Sequence, residues 1–339
     1  MSVVIPAKNE ASTLPSLLES LRQQSLPPSE VIVVDAGSCD ETTRIARQKG
    51  ARVIRVDYAY PGQARNIGIA LACSEIIACW DADMRLAPSA LGHLIQPLME
   101  GSADIAYSRI EVYPQNLLAA LRFSVLEPPY THILSQREKT YIHFAAGVAF
   151  RREVWEQSGG FPPWRAREDN EFYARVSALH FQQAYVHEAI TFWEPSERWS
   201  GLLNKLRVYA RHNLLSGKPQ EWYGRLFLLY LLYTVVGISG LIGGGVPFGI
   251  FLFLSSIGGV TLMRTLRRVI RYRHFLRFRC SLNPYSPRTL LAGWALLLGM
   301  DVASLVGLIE WIILDKLRLK PERFPPSRIL EELSPSLPE

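Results

Sequence analysis

The chain has 339 residues, 48% of them hydrophobic and 20% charged, with a formal net charge of +6. It is too apolar for a disordered chain and slightly too apolar for an ordinary soluble enzyme, and its length favours two units at about 150 residues per domain. The apolar content is concentrated late: residues 226–263 contain no Asp, Glu, Lys or Arg, and residues 289–314 carry only Asp301 and Glu310. Uncharged runs of about 18 residues or more are membrane-span candidates, so a soluble domain tied to a membrane is expected.

Charge is uneven as well. Seven arginines (264, 267, 268, 271, 273, 277 and 279) and no acid occupy residues 264–279. A basic block beside apolar spans marks a cytoplasmic loop near anionic lipid. Nucleic acid is not an expected partner, because no recognition module accompanies the block. Cys39, Cys73, Cys79 and Cys280 lack C-x-x-C spacing and read as reduced, mostly structural thiols. The chain enters a strand-like run, Val3-Val4-Ile5, without a leader, so the N-terminal domain is expected in the cytosol.

In chain order, residues 2–6 read as a strand. Leu14, Leu17, Leu18 and Leu21 follow the rhythm of a helix with one buried face. Residues 31–34 form a second strand ending at Asp35-Ala36-Gly37-Ser38, a turn signal. Residues 40–49 read as helix, 52–56 as strand, 63–72 as helix and 75–80 as strand. Continuous β-branched runs separated by helices predict a doubly wound α/β domain whose parallel sheet is covered on both faces. Beyond residue 100, Leu117, Leu118, Leu121, Val125 and Leu126 predict an amphipathic helix, in the core or on a bilayer surface. Residues 144–150 read as strand and Glu168–Ala178 as helix, with Glu168 and Asp169 in the first turn, where the helix dipole favours anions.

In open sheets of this kind, ligands sit beyond the carboxyl ends of the strands. Three strands here end on polar residues: Pro6-Ala7-Lys8-Asn9-Glu10, Asp35, and Asp81-Ala82-Asp83. No G-x-G-x-x-G follows the first strand and no P-loop is present, which argues against a dehydrogenase or P-loop enzyme. A bound nucleotide diphosphate would then fall to carboxylates and a metal. Two carboxylates at i, i+2 suit Mg²⁺ or Mn²⁺, which share oxygen ligands with substrate phosphates.

These segments, with Ala64-Arg65-Asn66-Ile67-Gly68 and with Gly159-Gly160-Phe161 before Arg167-Glu168-Asp169-Asn170-Glu171-Phe172, resemble a family 2 glycosyltransferase of the GT-A fold over residues 2–215. The resemblance implies inverting transfer of a sugar from a UDP- or GDP-linked donor, with Mg²⁺ or Mn²⁺ as cofactor. By it, Pro6, Ala7, Asn9, Glu10 and Asp35 cradle the base and ribose, and Arg65 sits near the base or diphosphate. Asp81 touches the ribose beside Ala82, and Asp83, with Asp81, holds the metal. Asp169 is the general base, and Glu168 shares or orients that role. On the acceptor or phosphate side, the resemblance implicates Arg198, Trp199, Arg207 and Arg211.

Two departures stand out. Ala36 and Cys39 replace residues of the common D-D-G-S-T-D-G-T form, and Pro195 stands where processive synthases carry the Gln of Q-x-x-R-W. Single transfer to a membrane-associated lipid acceptor is therefore expected; the alternatives are a processive polysaccharide synthase and a catalytically inactive membrane scaffold. The expected organisation is a cytosolic catalytic domain over 1–224, a transmembrane hairpin over 225–264 turning at residues 243–247, and a basic loop over 265–288. A further segment over 289–314 crosses or lies at the interface, and a tail spans 315–339. The expected location is a bacterial inner membrane. Asp301 and Glu310 are costly in lipid, and can bind a headgroup, pair with the arginine block or mark an interfacial helix. His212 is expected on a solvated helix face, and Trp193 and Trp199 either stack a sugar or pack in the core.

Overall fold

The computed structural model describes residues 1–126, 146–166, 168–217 and 219–317, apart from the side chains of Leu126, Glu221 and Arg225. Arg167 and most of the expected tail lie outside the described residues. The chain divides into two compact units: one holds the described residues of 1–113 and 146–194, the other 114–126 and 195–317.

The first unit is an α/β domain. Its strands are β1 (Ser2–Ala7), β2 (Glu30–Ala36), β3 (Arg52–Val56), β4 (Ile76–Cys79), β5 (Met84–Leu86), β6 (Ile105–Val112), β7 (Val148–Arg151) and β8 (Gln183–Trp193). They form one sheet in the order β3-β2-β1-β4-β7-β6-β8-β5. The β3-β2-β1-β4 half is parallel, as the β-branched runs predict. Val3, Val4 and Ile5 are all inaccessible to solvent, so both faces of β1 are covered.

In the other half β6 and β8 pair in parallel, but two strands depart from the expected parallel arrangement. Strand β7 runs antiparallel to β4 and β6, and β5 pairs antiparallel with β8. The β5–β8 ladder joins Met84 to Trp193, partners too distant in sequence for a local pattern to reveal.

The helices of this unit are α1 (Leu14–Arg22), α2 (Thr42–Gln48), α3 (Pro61–Ala70), α4 (Ala90–Met99), α6 (Arg152–Ser158) and α7 (Glu168–Ala178), with α5 (Leu117–Leu121) in the second unit. The four leucines of α1 are its buried residues. Close approach of α3 to β1 depends on Gly68, where any Cβ would collide with Val4. Phe161 stacks on Phe172, bringing the loop before α7 into the core shared with β1, β2 and β4.

The second unit is helical: α5, α8 (Trp199–Leu215), α9 (Pro219–Arg271) and α10 (Pro287–Glu310), which continues as a wider helical turn over Trp311–Lys316. The predicted amphipathic segment is the short α5 and a π-type turn over Arg122–Leu126. Leu118, Leu121 and Val125 pack in a core with Leu202, Leu206, Leu296 and Leu297. Helix α9 breaks at Gly245, whose φ of 78° and ψ of −177° are outside helical space, inside the expected turn at 243–247. Gly240 faces Gly249 and Gly237 faces Phe253, so the two arms fold back as a hairpin.

Helix continues to Arg271, and Phe275–Arg279 form another π-type turn, so most of the arginine block expected as a loop is helical. No Gly or Pro interrupts residues 260–282, and arginine is a good helix former. His212 is another difference: it is 1% exposed on the packed side of α8, not solvated.

Candidate active site

The loop after β1 and the turn after β2 are built against each other. Asn9 takes a positive φ of 58°. Its backbone N–H donates to Ser38 Oγ at 2.8 Å, and its side-chain oxygen accepts from the Cys39 N–H at 2.9 Å. The Glu10 N–H donates to Thr42 Oγ1 at 2.8 Å. Pro6 and Ala7 stand opposite Val34 and Asp35 in the parallel register. Gly37 closes the turn at φ 78°, with the Asp57 carbonyl in the space a Cβ would need.

Asp35 is fully buried at the end of β2, and its carboxylate accepts from the Ser38 N–H at 3.0 Å and the Thr43 hydroxyl at 2.5 Å. Its side chain is thus engaged inside its own turn and shapes the loop.

The fourth strand leads into Trp80-Asp81-Ala82-Asp83. Trp80 is fully buried and donates to Thr191 Oγ1 at 3.1 Å, anchoring the segment to β8. Trp193, at the end of β8, donates its indole N–H to Asp83 Oδ2 at 2.8 Å. Ala82 is buried between the two carboxylates. Burial, followed by the nearby charges of Asp83 and Asp81 after an opposing hydrogen bond from Thr13, raises the Glu10 carboxyl above its usual range. The carboxylates of the loop after β1 and of the Asp81–Asp83 segment therefore lie close enough to interact, as one acidic cluster.

Arg65, on α3, joins this cluster to the start of α7. It is 2% exposed and pairs with Asp81 at 2.5 Å, while its Nη1 lies 3.7 Å from Glu168. Its guanidinium also lies over the Phe161 ring, 5.6 Å from the centroid. Nε and Nη1 are buried without a hydrogen-bond partner. Such orphaned donors are costly, and an acceptor brought by a ligand would satisfy them.

At the N-terminus of α7, Glu168 is buried and Asp169 half-buried. Burial, then the charge of Asp169, pushes Glu168 up to about 8, against the opposing effect of Arg65. Asp169 is also raised by burial, although its own oxygen accepts from the Asn170 N–H at 2.8 Å. A carboxylate raised in this way is a stronger proton acceptor than a solvated one.

Asn66 is a contributor that the sequence reading did not single out. Its side-chain oxygen accepts from the Trp155 indole and from the Phe161 N–H, each at 2.9 Å, and its N–H donates to the Phe161 carbonyl at 2.7 Å. It pins the Gly159-Gly160 turn, both glycines of which have positive φ, beside the start of α7. The signal in the sequence was that glycine pair, whose backbone needs a polar partner. Of the two readings of Trp193, sugar stacking or core packing, the structure bears out the second: it is buried, and its indole N–H also reaches Asp83.

Among the described residues, no group of three or more His, Cys, Asp or Glu side chains is placed to hold a cation by protein ligands alone. Asp81 and Asp83 offer hard oxygen donors beside a raised Glu10, which fits a divalent ion that completes its shell with substrate phosphate and water.

The four acceptor-side residues lie in the second unit. Arg198 and Trp199 are exposed at the start of α8. Arg207 pairs with Glu310, and Arg211 pairs with Asp315 through two contacts of 2.8 Å.

The mixed α/β sheet and its flanking helices form a GT-A-like domain, with this acidic cluster at the edge of the sheet. Residues 2–158 match the family model described as Glycosyl transferase family 2. A 4,4'-diaponeurosporenoate glycosyltransferase of Staphylococcus haemolyticus is 34% identical over 140 residues, covering 39% of this chain and 34% of that protein. The O-antigen chain rhamnosyltransferase RfbN of Salmonella typhimurium is 27% identical over 206 residues, covering 56% and 65%. The matched stretches thus span less than two thirds of either relative. The solved mannosyltransferase PcManGT of Pyrobaculum calidifontis, in complex with GDP-Man and Mn²⁺, has the same fold at a TM-score of 0.53 and 16% identity, over 93% of this chain and 87% of that one.

Proposed function

We propose that the chain transfers a sugar once, with inversion, from a UDP- or GDP-linked donor to a lipid acceptor at the cytosolic face of a membrane. The observation that carries this reading is the continuous set Asp81–Arg65–Glu168, with Asp169 beside it. It ties the donor-side carboxylate to the start of α7, where Asp169 stands next to Glu168 and can take a proton. In this reading, Pro6, Ala7, Asn9 and Glu10 line the base and ribose, Asp35 holds the shape of that loop, and Ala82 leaves room beside the ribose. Arg65 steadies Glu168 and offers its unpartnered N–H groups to the leaving diphosphate.

Mg²⁺ or Mn²⁺ held by Asp83 and Asp81 would offset charge on the departing diphosphate. Asp169 accepts the acceptor's hydroxyl proton as that oxygen attacks the anomeric carbon opposite the leaving group. Glu168 is the less suited base, because it is buried against Arg65 and retains its proton at neutral pH.

The membrane part rests on the second unit. Two helices, Trp222–Arg271 and Pro287–Lys316, are long and apolar enough to cross a bilayer. The α9 hairpin exposes Phe227 (66%), Ile242 (83%) and Phe251 (62%), more apolar surface than water tolerates. The arginine block at its end suits anionic lipid on the cytosolic side, in a bacterial inner membrane. A lipid acceptor also accords with the carotenoid glycosyltransferase among the relatives.

The test is incorporation of label from UDP- and GDP-sugars into the organic phase of a bacterial lipid extract. Label from one donor, lost in Asp169→Asn, is the expected result. Label in a water-soluble polymer would point to a processive synthase, and donor turnover by no sugar nucleotide would point to a scaffold.

A further inference from the structure

Helix α10 poses the sharper question, because its length permits a further membrane crossing while its contacts argue otherwise. It runs beside α8, in the same direction. Gly299 meets Leu203, with only 2.6 Å for an added Cβ, and a Cβ at Gly307 would lie 2.7 Å from the Arg207 carbonyl. Further along, Arg207 pairs with Glu310 and Arg211 with Asp315. Residues 299–315 of one helix therefore share the depth of residues 203–211 of the other.

Helix α8 is no membrane span. Its 17 residues include Asn204, Lys205, Arg207, Arg211, His212 and Asn213. Only residues 287–298 of α10 precede this contact, about 18 Å of helix against a hydrocarbon layer of about 30 Å. Even that part is held down, since Gly293 packs against Val125 and Leu121, and Thr289 donates to the Asn283 carbonyl at 2.9 Å.

The acids of α10 agree with this placement. Asp301 pairs with Arg264 at 2.7 Å, so each carboxylate along the helix meets an arginine. The hairpin touches α10 near its base, through Trp222, Tyr223 and Tyr230 on one arm and Gly258, Arg264 and Thr265 on the other. On its outer side α10 exposes Leu291, Val302 and Ile309. An apolar face beside neutralised acids and a basic block is the pattern of a helix lying in the headgroup region.

We infer that α10 lies in the membrane–water interface, its exposed apolar face docked on anionic lipid, while the α9 hairpin enters the hydrocarbon. The C-terminus then lies on the side of the membrane from which the α9 hairpin enters. This inference rests on the membrane-bound reading above.

Two measurements on the full chain test it. Fusions after Glu339 to green fluorescent protein or alkaline phosphatase, in a bacterial inner membrane, report the side of the C-terminus. Fluorescence without phosphatase activity is expected, and phosphatase activity overturns the placement. Spin labels at Leu291, Val302 and Ile309, in vesicles of phosphatidylglycerol and phosphatidylethanolamine, should all be equally shallow. A label at Val302 near the bilayer centre overturns it. Alkaline carbonate washing separates the two claims. A chain that washes off the membrane overturns the membrane-bound reading and this inference with it, whereas a retained chain with an external C-terminus overturns only the placement of α10.

Discussion

Replacing Glu168 with Gln removes a buried carboxyl while keeping its shape, and its effect on stability depends on pH in a defined direction. The unfolded chain titrates this group near 4.5, while burial and the Asp169 charge push it up to about 8 in the folded domain. The native state therefore binds the proton more tightly. Its contribution to stability is complete below the unfolded value and is lost as pH rises through the folded one. Between about pH 5 and pH 9 the loss is on the order of 4 kcal/mol, at 1.36 kcal/mol per pH unit of unequal protonation. Gln does not titrate, so Glu168→Gln should gain that much on the parent across the window. Urea denaturation at several pH values measures the gap. A gap that stays constant with pH would refute the assignment of Glu168 as a proton-retaining buried acid.

Asn66→Ala strands the Trp155 indole and both polar groups of the Phe161 backbone, so a loss of about 1–3 kcal/mol per buried group is expected in urea denaturation. Gly37→Ala forces a side chain onto the Asp57 carbonyl at positive φ and should cost stability and donor binding together, measurable by denaturation and calorimetry. Trp193→Phe deprives Asp83 of its indole donor. It should raise the Mn²⁺ concentration needed for half-maximal turnover while leaving the fold intact, as circular dichroism would report.

What the sequence made legible follows the range of the forces involved. Strand β3 was read to the residue, and the four buried leucines of α1 were read from spacing alone, because periodicity is local. The carboxylates at the ends of β1, β2 and β4 were placed by the same logic. Pairings across the chain were not legible. The antiparallel β7, the Asp83–Trp193 contact and the Asn66 latch each join residues from separate elements, and no window of sequence contains both partners. Asp35 shows a subtler limit: its position at a strand end was read from the turn signal, but its inward orientation depends on Ser38 and Thr43 folding back over it. His212 was misjudged because α8 buries one face against a helix about a hundred residues away.

The most direct test of the account is nucleoside diphosphate release by purified full-length protein, with Mn²⁺, a donor panel and bacterial lipid. Comparison with Asp83→Ala and Asp169→Asn makes it decisive. The account predicts lipid-stimulated release from one donor, lost on chelation and in Asp83→Ala, and reduced roughly 10²–10⁴-fold in Asp169→Asn, the usual contribution of a positioned general base. Release that persists undiminished in Asp169→Asn would contradict it, because the proton would then be leaving by another route.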